Sequence, residues 1–526
     1  MTFRGALKTV DPRAGAGRPG LLIVAGWAMN AEWCQLWAML GAVYQARGQQ
    51  VYALTTRQQP IQNLYFRLFG IALLYLEDID FRGAEVPVDI RRQIDALAAF
   101  DDVKAFEIDG VPFGKMALST YTRQRATGIM DIADEKARQE VRRWLIYLYQ
   151  VFVTARIYYQ SRGIGMTFFT EVFMEEYGSL YYAALKDGLN IVRFAGTVRD
   201  DAVVVQHLTP ESDRTHFSSI SEASWARILP IRDLAMVREG VEQNFRDRYG
   251  DKWGLSARNQ PNTRIVPVAE ARAALGVPEG RKIAVAYSHI LYDTLFFNGE
   301  DIFQNYADWL VRTVKAACAN PAIDWFIKVH PSNLWRGELE YYHGGKYEEV
   351  RLIEEHIGVL PPHVRLVYPD TPFSPYTWLE LADVGITVRG TSGIELGALG
   401  KTVVTAGTGR YESAGFSINP QTVEEYLDVL AALPDIPAPD AEQRRRGLLF
   451  AYATFCMKPF TLDFLVPVTR TGKKRIFSSD DLVFLGSPSL GAGVPASIEA
   501  FVEWSYRAQE IDFLSCWPAQ AAADAN

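Results

Sequence analysis

The stretch ADVGITVRGTSGIELGALGKTVVTAGTGRYESAGFS, residues 382–417, carries the densest chemistry in the sequence. An apolar strand ending at Val388 feeds a small-residue turn, Gly390-Thr391-Ser392-Gly393, and then a helix. Glycines let a backbone come close to a ligand, and Thr391 and Ser392 can cap the helix or donate hydroxyls. Unpaired amides at a helix start favour an anion, typically a phosphate. Glu395, in the first turns, could accept hydrogen bonds from ribose hydroxyls. The same residues also describe a capped helix with no ligand, because Ser or Thr followed by Glu three positions on is a common capping arrangement.

A second constellation is Lys328-Val329-His330-Pro331-Ser332-Asn333. It follows the apolar strand DWFIKV, and a histidine at such a strand end points into the crevice where open α/β sheets bind ligands. Pro331 stiffens the turn. The His330 imidazole could donate to a phosphate oxygen and help a nucleotide leave; a locally bonded histidine is the alternative. Tyr287, Ser288 and His289 follow the strand KIAVAY, with Asp293 as a cap or a contact. Arg410 and Tyr411 follow KTVVT, and Arg410 has the shape of a bidentate phosphate ligand, against the alternative of a surface arginine. These groups come from different strand ends of one expected sheet, which favours a shared site.

In the first half, Gly26-Trp27, Asp109-Gly110 and Glu171 terminate expected strands. Transfer to a hydroxyl requires a general base, and Glu171 or Asp109 would serve. Glu171 is preferred because it ends an apolar strand, whereas Asp-Gly is a common turn dipeptide.

The elements that must position these residues alternate in type. LLIVAG (21–26), a helix over 31–46 and a strand over 50–55 make a βαβ opening. Residues 61–100 read as helical, 103–109 as a strand, 131–155 as a long helix, 165–170 as a strand, 177–186 as a helix and 190–194 as a strand. The segment 209–265 is polar and irregular with helical pieces. A second alternation starts at 282: strands over 282–287, 324–329, 364–367, 383–388 and 401–405, with helices between them and two closing helices over 422–432 and 440–455. The expected fold is therefore α/β, two Rossmann-like domains facing across a cleft. The expected divisions are 1–240 with helical insertions, a connection over 241–280, 281–460, and a C-terminal segment, 461–526, packing back on the first domain.

Composition narrows the field. The 526 residues predict two to four domains at roughly 100–200 residues each. Lys+Arg 54 against Asp+Glu 62 leaves a net charge of −8 and no basic run, so nucleic acid is not an expected partner. Cys34, Cys318, Cys456 and Cys516 form no CxxC pair, which fits a reducing compartment. With no signal-like h-region and no run of about 18 apolar residues, a cytoplasmic protein is expected. GxGxxG after the first strand, the P-loop, HExxH and GxSxG are absent, no DxD-like acidic pair precedes the second sheet as a clear metal clamp, and nothing requires a metal or a cofactor.

IKVHPSN, followed about sixty residues on by RGTSGIELGALGKTVVTAGTGRY, resembles bacterial capsule polysaccharide biosynthesis proteins, the capsule-linker Kdo transferases and related glycosyltransferases of GT-B fold. Thr402 stands where that family has Pro, and the family's QPE-type element has no match in the first half. Residues 281–460 carry the likeness. It implies a nucleotide-sugar donor, CMP-linked and Kdo-like, bound in the C-terminal half, and a polysaccharide or glycolipid acceptor in the N-terminal half. It assigns His330 and Ser392 to the donor phosphate and Glu395 to the ribose. The donor set is then Ser288, His289, Lys328, His330, Pro331, Gly390, Thr391, Ser392, Gly393, Glu395 and Arg410. A nucleotide-binding export-assembly protein without catalysis and a sugar-nucleotide epimerase are the competing classes. The aromatic insertions at 61–100 and 131–160 are read first as core. The alternative for them is an acceptor groove or a peripheral contact with the inner membrane or export machinery.

Overall fold

The computed structural model describes residues 3–25, 31–199, 201–250, 252–253, 262–293, 295–334, 346–462 and 493–517. The chain forms two α/β units. The first comprises 1–120, 132–213 and 459–515; the second comprises 121–131, 214–458 and 516–526.

The first unit is built on a seven-stranded sheet. Its strands are β1 (Gly20–Val24), β2 (Val51–Thr55), β3 (Ala72–Tyr75), β4 (Ile164–Phe169), β5 (Asn190–Gly196), β6 (Ala202–Leu208) and β12 (Pro459–Thr461). The order is β12-β6-β5-β4-β1-β2-β3; β6 runs antiparallel to both its neighbours, β5 and β12, and the remaining pairings are parallel. All five residues of β1 are buried, as expected of a central parallel strand covered on both faces. The long helix Glu135–Ser161 buries Val141, Leu145, Leu148, Phe152, Ala155 and Tyr159 at three- and four-residue spacing, a single apolar stripe. Residues 496–505 return to this unit as a helix whose Phe501 packs on Phe168, Phe194 and Phe460.

The second unit has a five-stranded parallel sheet: β7 (Ile283–Tyr287), β8 (Asp324–Lys328), β9 (Val364–Val367), β10 (Val384–Thr387) and β11 (Thr402–Thr405). Its order, β9-β8-β7-β10-β11, matches five of the six strands of the dinucleotide-binding order, and β5 through β3 of the first unit repeat it. Both units are therefore Rossmann-like. The strand order reverses between β7 and β10, and open α/β sheets take ligands beside such a point, at the carboxyl ends of the strands.

Several expectations change. Residues 103–109 are not a strand: Phe100–Lys104 is helical, and Ile108 and Val111 bridge across a tight turn. Asp109 and Gly110 take φ of 52° and 71° in that turn, so Asp109 ends no strand and is exposed. The 61–100 segment contains β3 as well as the helices Pro60–Leu68 and Val88–Ala96. The boundary lies at 213, not 240, and much of 241–280 belongs to elements of the second unit, including the helix Leu234–Tyr249. Gly26 and Trp27 lie outside the described residues. Among the described residues no helix is long and apolar enough to cross a membrane.

Candidate functional site

The turn after β10 opens the helix Thr391–Ala398, whose N-cap is Gly390. No side chain caps this helix, so neither Thr391 nor Ser392 has the capping role the sequence suggested. The turn is tied down from behind. The Gly390 amide donates to Thr387 Oγ1 at 3.0 Å, and the Tyr411 hydroxyl donates to the Gly390 carbonyl at 3.1 Å. A Cβ at Gly393 would come within 2.0 Å of the Tyr411 hydroxyl. Gly393 is therefore required by the packing of Tyr411, whatever approaches the turn from outside.

Two buried arginines flank this turn. Arg389 forms an ion pair with Asp301 and donates to the Thr408 carbonyl at 2.9 Å and the Tyr306 hydroxyl at 3.1 Å. Burial works against its charge, but Asp301 and Tyr306 hold its pKa above the ordinary value. Arg410, also buried, donates through Nη1 to the Arg389 carbonyl and through Nη2 to Thr391 Oγ1, both at 2.9 Å. Its Nε has no hydrogen-bond partner, and no carboxylate pairs with it among the described residues. Burial brings its pKa down to about 10.

At the carboxyl end of β8, Lys328 is buried with no partner for Nζ among the described residues, and burial lowers its pKa to about 8. His330 is half-buried. Its Nδ1 accepts from the Ser332 amide at 3.3 Å and sits 2.7 Å from the Ser332 hydroxyl. An amide N–H can only donate, so Nδ1 is the bare nitrogen and the ring proton is on Nε2. Pro331 lies between them in the turn, where the sequence placed it.

Sequence reading missed Glu349, which sits in the first turn of the helix Glu348–His356. It is 2% exposed, and burial raises its pKa to about 7. Ser288, assigned to the donor, instead donates to Glu349 Oε1 at 3.2 Å, and Asn333 donates to both carboxylate oxygens at 2.9 and 3.1 Å. The only sequence signal was an acid pair, Glu348-Glu349, at a helix start, which normally marks a solvated dipole partner.

Two further residues of the expected donor set bond within the fold. His289 Nε2 accepts from the Val388 amide at 3.2 Å and lies 3.0 Å from Thr387 Oγ1, with the ring stacked on Tyr306. Burial, reinforced by His330, Arg389 and Arg410, holds its pKa well below the ordinary value. It is a half-buried residue held by Val388, Thr387 and Tyr306. Glu395 is 3% exposed, ion-paired with Arg248 and accepting from the Tyr249 hydroxyl at 2.6 Å. The carboxylate expected at a ribose is committed to the helix Leu234–Tyr249. Asp293 pairs with Arg123 at 3.6 Å.

In the first unit, Glu171 follows β4 and accepts from the amides of Val172 at 2.9 Å and Phe173 at 2.6 Å. Its charge helps sustain the buried Arg193, whose pKa burial brings down to about 10. Among the described residues no cluster of three or more His, Cys, Asp or Glu could hold a metal ion.

No family model matches the sequence, and no curated protein does. Among solved structures, the chain is similar to the β-Kdo 2,4-transferase KpsC of Thermosulfurimonas dismutans: 13% identity, 56% of this chain, 81% of that one, TM-score 0.33. It is also similar to UDP-GlcNAc 2-epimerase of Neisseria meningitidis bound to UDP-GlcNAc: 10% identity, 82% of this chain, 95% of that one, TM-score 0.26. A glycosyltransferase of Rickettsia africae ESF-5 aligns at 10% identity over 85% of this chain and 95% of that one, TM-score 0.29. Likenesses at this level lend no residue roles to the chain.

Proposed function

We propose that the chain is a glycosyltransferase that moves a sugar from a nucleotide-activated donor, CMP-linked by preference, to a surface polysaccharide or glycolipid. The observation that carries it is Arg410, a buried guanidinium with no carboxylate partner among the described residues, bonded to the first residue of a helix that no side chain caps. An unpaired buried charge is costly, and an anion on the helix start would offset that cost. Gly390, Thr391, Ser392 and Gly393 form the phosphate seat in this reading. Arg410 and Lys328 supply charge, and His330 donates through Nε2 to the leaving nucleotide. Ser288, His289 and Glu395 act from behind, as residues that hold the seat. Glu171 is the proposed general base for the acceptor hydroxyl. No metal or cofactor is part of the proposal.

The test is a thermal-shift panel of CMP, CDP, UDP and GDP on the wild type and on His330→Ala. A nucleotide at 100 times its Kd should stabilise the wild type by about 2.7 kcal/mol, and the variant less. No stabilisation by any of the four would sink the donor site. Conversion of a sugar nucleotide with no acceptor present would make the chain an epimerase, and binding without turnover a nucleotide-binding assembly protein.

A further inference from the structure

We propose that Glu349 is a positioning residue of this site: it fixes the loops after β7 and β8 so that His330 presents its Nε2 proton to the donor phosphate. The inference rests on the reading of His330 as a phosphate donor, and it deepens that reading.

The carboxylate is a junction. Oε1 accepts from the Ser288 hydroxyl at 3.2 Å, the His330 amide at 3.3 Å and Asn333 Nδ2 at 2.9 Å; Oε2 accepts from Asn333 at 3.1 Å. Ser288 belongs to the loop after β7, and His330 and Asn333 to the loop after β8. No lysine, arginine or histidine forms an ion pair with Glu349 among the described residues, so a buried carboxylate is held by uncharged donors alone. Such a group is retained at a cost to stability, and the geometry shows what it holds.

The path to the imidazole has two links. The Asn333 amide donates to the His330 carbonyl at 3.1 Å, closing the turn whose Asn333 side chain Glu349 grips. Inside that turn Ser332 clamps His330 Nδ1 through its amide and lies within hydrogen-bond distance through its hydroxyl. The clamp selects the tautomer with the proton on Nε2, and Glu349 holds the backbone that makes the clamp. Glu349 itself bonds no residue of the 390–393 turn, so its part is positioning and not catalysis.

The first measurement needs no ligand. Protein labelled with 15N-histidine reports the His330 tautomer, with His330→Ala identifying its signal among the seven histidines. The wild type and Glu349→Gln should show the Nε2-protonated form. Glu349→Ala should show a tautomer mixture, whereas Ser332→Ala keeps the amide that donates to Nδ1 and should retain the Nε2-protonated form. An unchanged tautomer in Glu349→Ala would overturn the proposal, and this result stands whether or not any nucleotide binds. The second measurement is a double-mutant cycle on the affinity of whichever nucleotide stabilises the wild type. Glu349→Ala should weaken it about tenfold, and Glu349→Gln, which keeps the Oε1 acceptor, no more than about threefold. In the His330→Ala background Glu349→Ala should add almost nothing, because the two act through one contact. Additive losses would mean that Glu349 acts elsewhere. Should Glu349→Ala not fold, Asn333→Ala removes the same grip, and the same two readouts decide.

Discussion

The carboxyl edges of the two sheets share a strand order and differ in how their polar groups are used. In the first unit Glu171 accepts from the two amides that follow it and offsets the charge of the buried Arg193, and Asp109 sits in an exposed turn off the sheet. In the second unit the edge carries a surplus of positive charge. Arg389 is neutralised by Asp301, but Arg410 and Lys328 are buried without an ion-pair partner among the described residues, and Glu395 offsets the charge of Arg410 only in part. A fold has no use of its own for such groups, since replacing them with apolar side chains of similar volume is often neutral or stabilising. The contrast teaches that strand order alone does not mark the ligand edge; the unbalanced charge does.

The largest expected effect tests whether the quieter edge contributes chemistry. Glu171→Gln should lower turnover by roughly 10²–10⁴-fold, the range for loss of a general base, while the thermal shift given by nucleotide is unchanged. Turnover at the wild-type rate would remove Glu171 from the mechanism and leave the first unit without a proposed base. The next effect separates the two arginines. Asp301→Ala leaves Arg389 uncompensated and should cost about 3–5 kcal/mol of stability by denaturant unfolding. Arg410→Met should cost no more than about 1 kcal/mol, yet weaken nucleotide binding about 10–100-fold. If Arg410→Met destabilises as strongly as Asp301→Ala, Arg410 is a structural residue and the contrast between the edges disappears.

The strands of the second unit were legible because parallel strands buried on both faces read as continuous apolar runs, as in KIAVAY and DWFIKV. β3 was not, because Ala72–Tyr75 is a short, half-exposed edge strand inside an aromatic stretch that also suits a helix. β12 is three residues long and pairs with a strand about 250 positions earlier, which no local pattern reveals. At the site, the sequence placed Lys328, His330, the 390–393 turn and Arg410 at strand ends, because strand ends are local features. It did not show what holds Ser288, His289 and Glu395 in the fold, since their partners, Glu349, Val388 and Arg248, are tens of residues or more away. Long-range pairing decides which polar side chain is committed to the fold and which is left over.

Lys328 gives the smallest effect and the one whose sign is least ambiguous. Burial holds its folded pKa down to about 8, against about 10.4 in the unfolded chain. Between those values the unfolded chain holds a proton that the folded chain has released, so stability rises with pH in that window. Below pH 8 both states are charged, and the folded state bears the full cost of the buried ammonium. The rise is readable only to about pH 9.5. Beyond that the unfolded chain's tyrosines ionise, whereas desolvated Tyr249 and Tyr287 resist ionisation, so their contribution falls as pH climbs. Relative to Lys328→Met, the wild type should therefore gain at most about 2 kcal/mol from pH 8 to 9.5, measured as paired unfolding curves. A bound nucleotide should flatten this slope, because a phosphate beside Nζ returns the proton that burial expels. Parallel curves for the two proteins would show that Lys328 is not desolvated. A slope that nucleotide leaves untouched would confine the anion seat to Arg410 and the helix start.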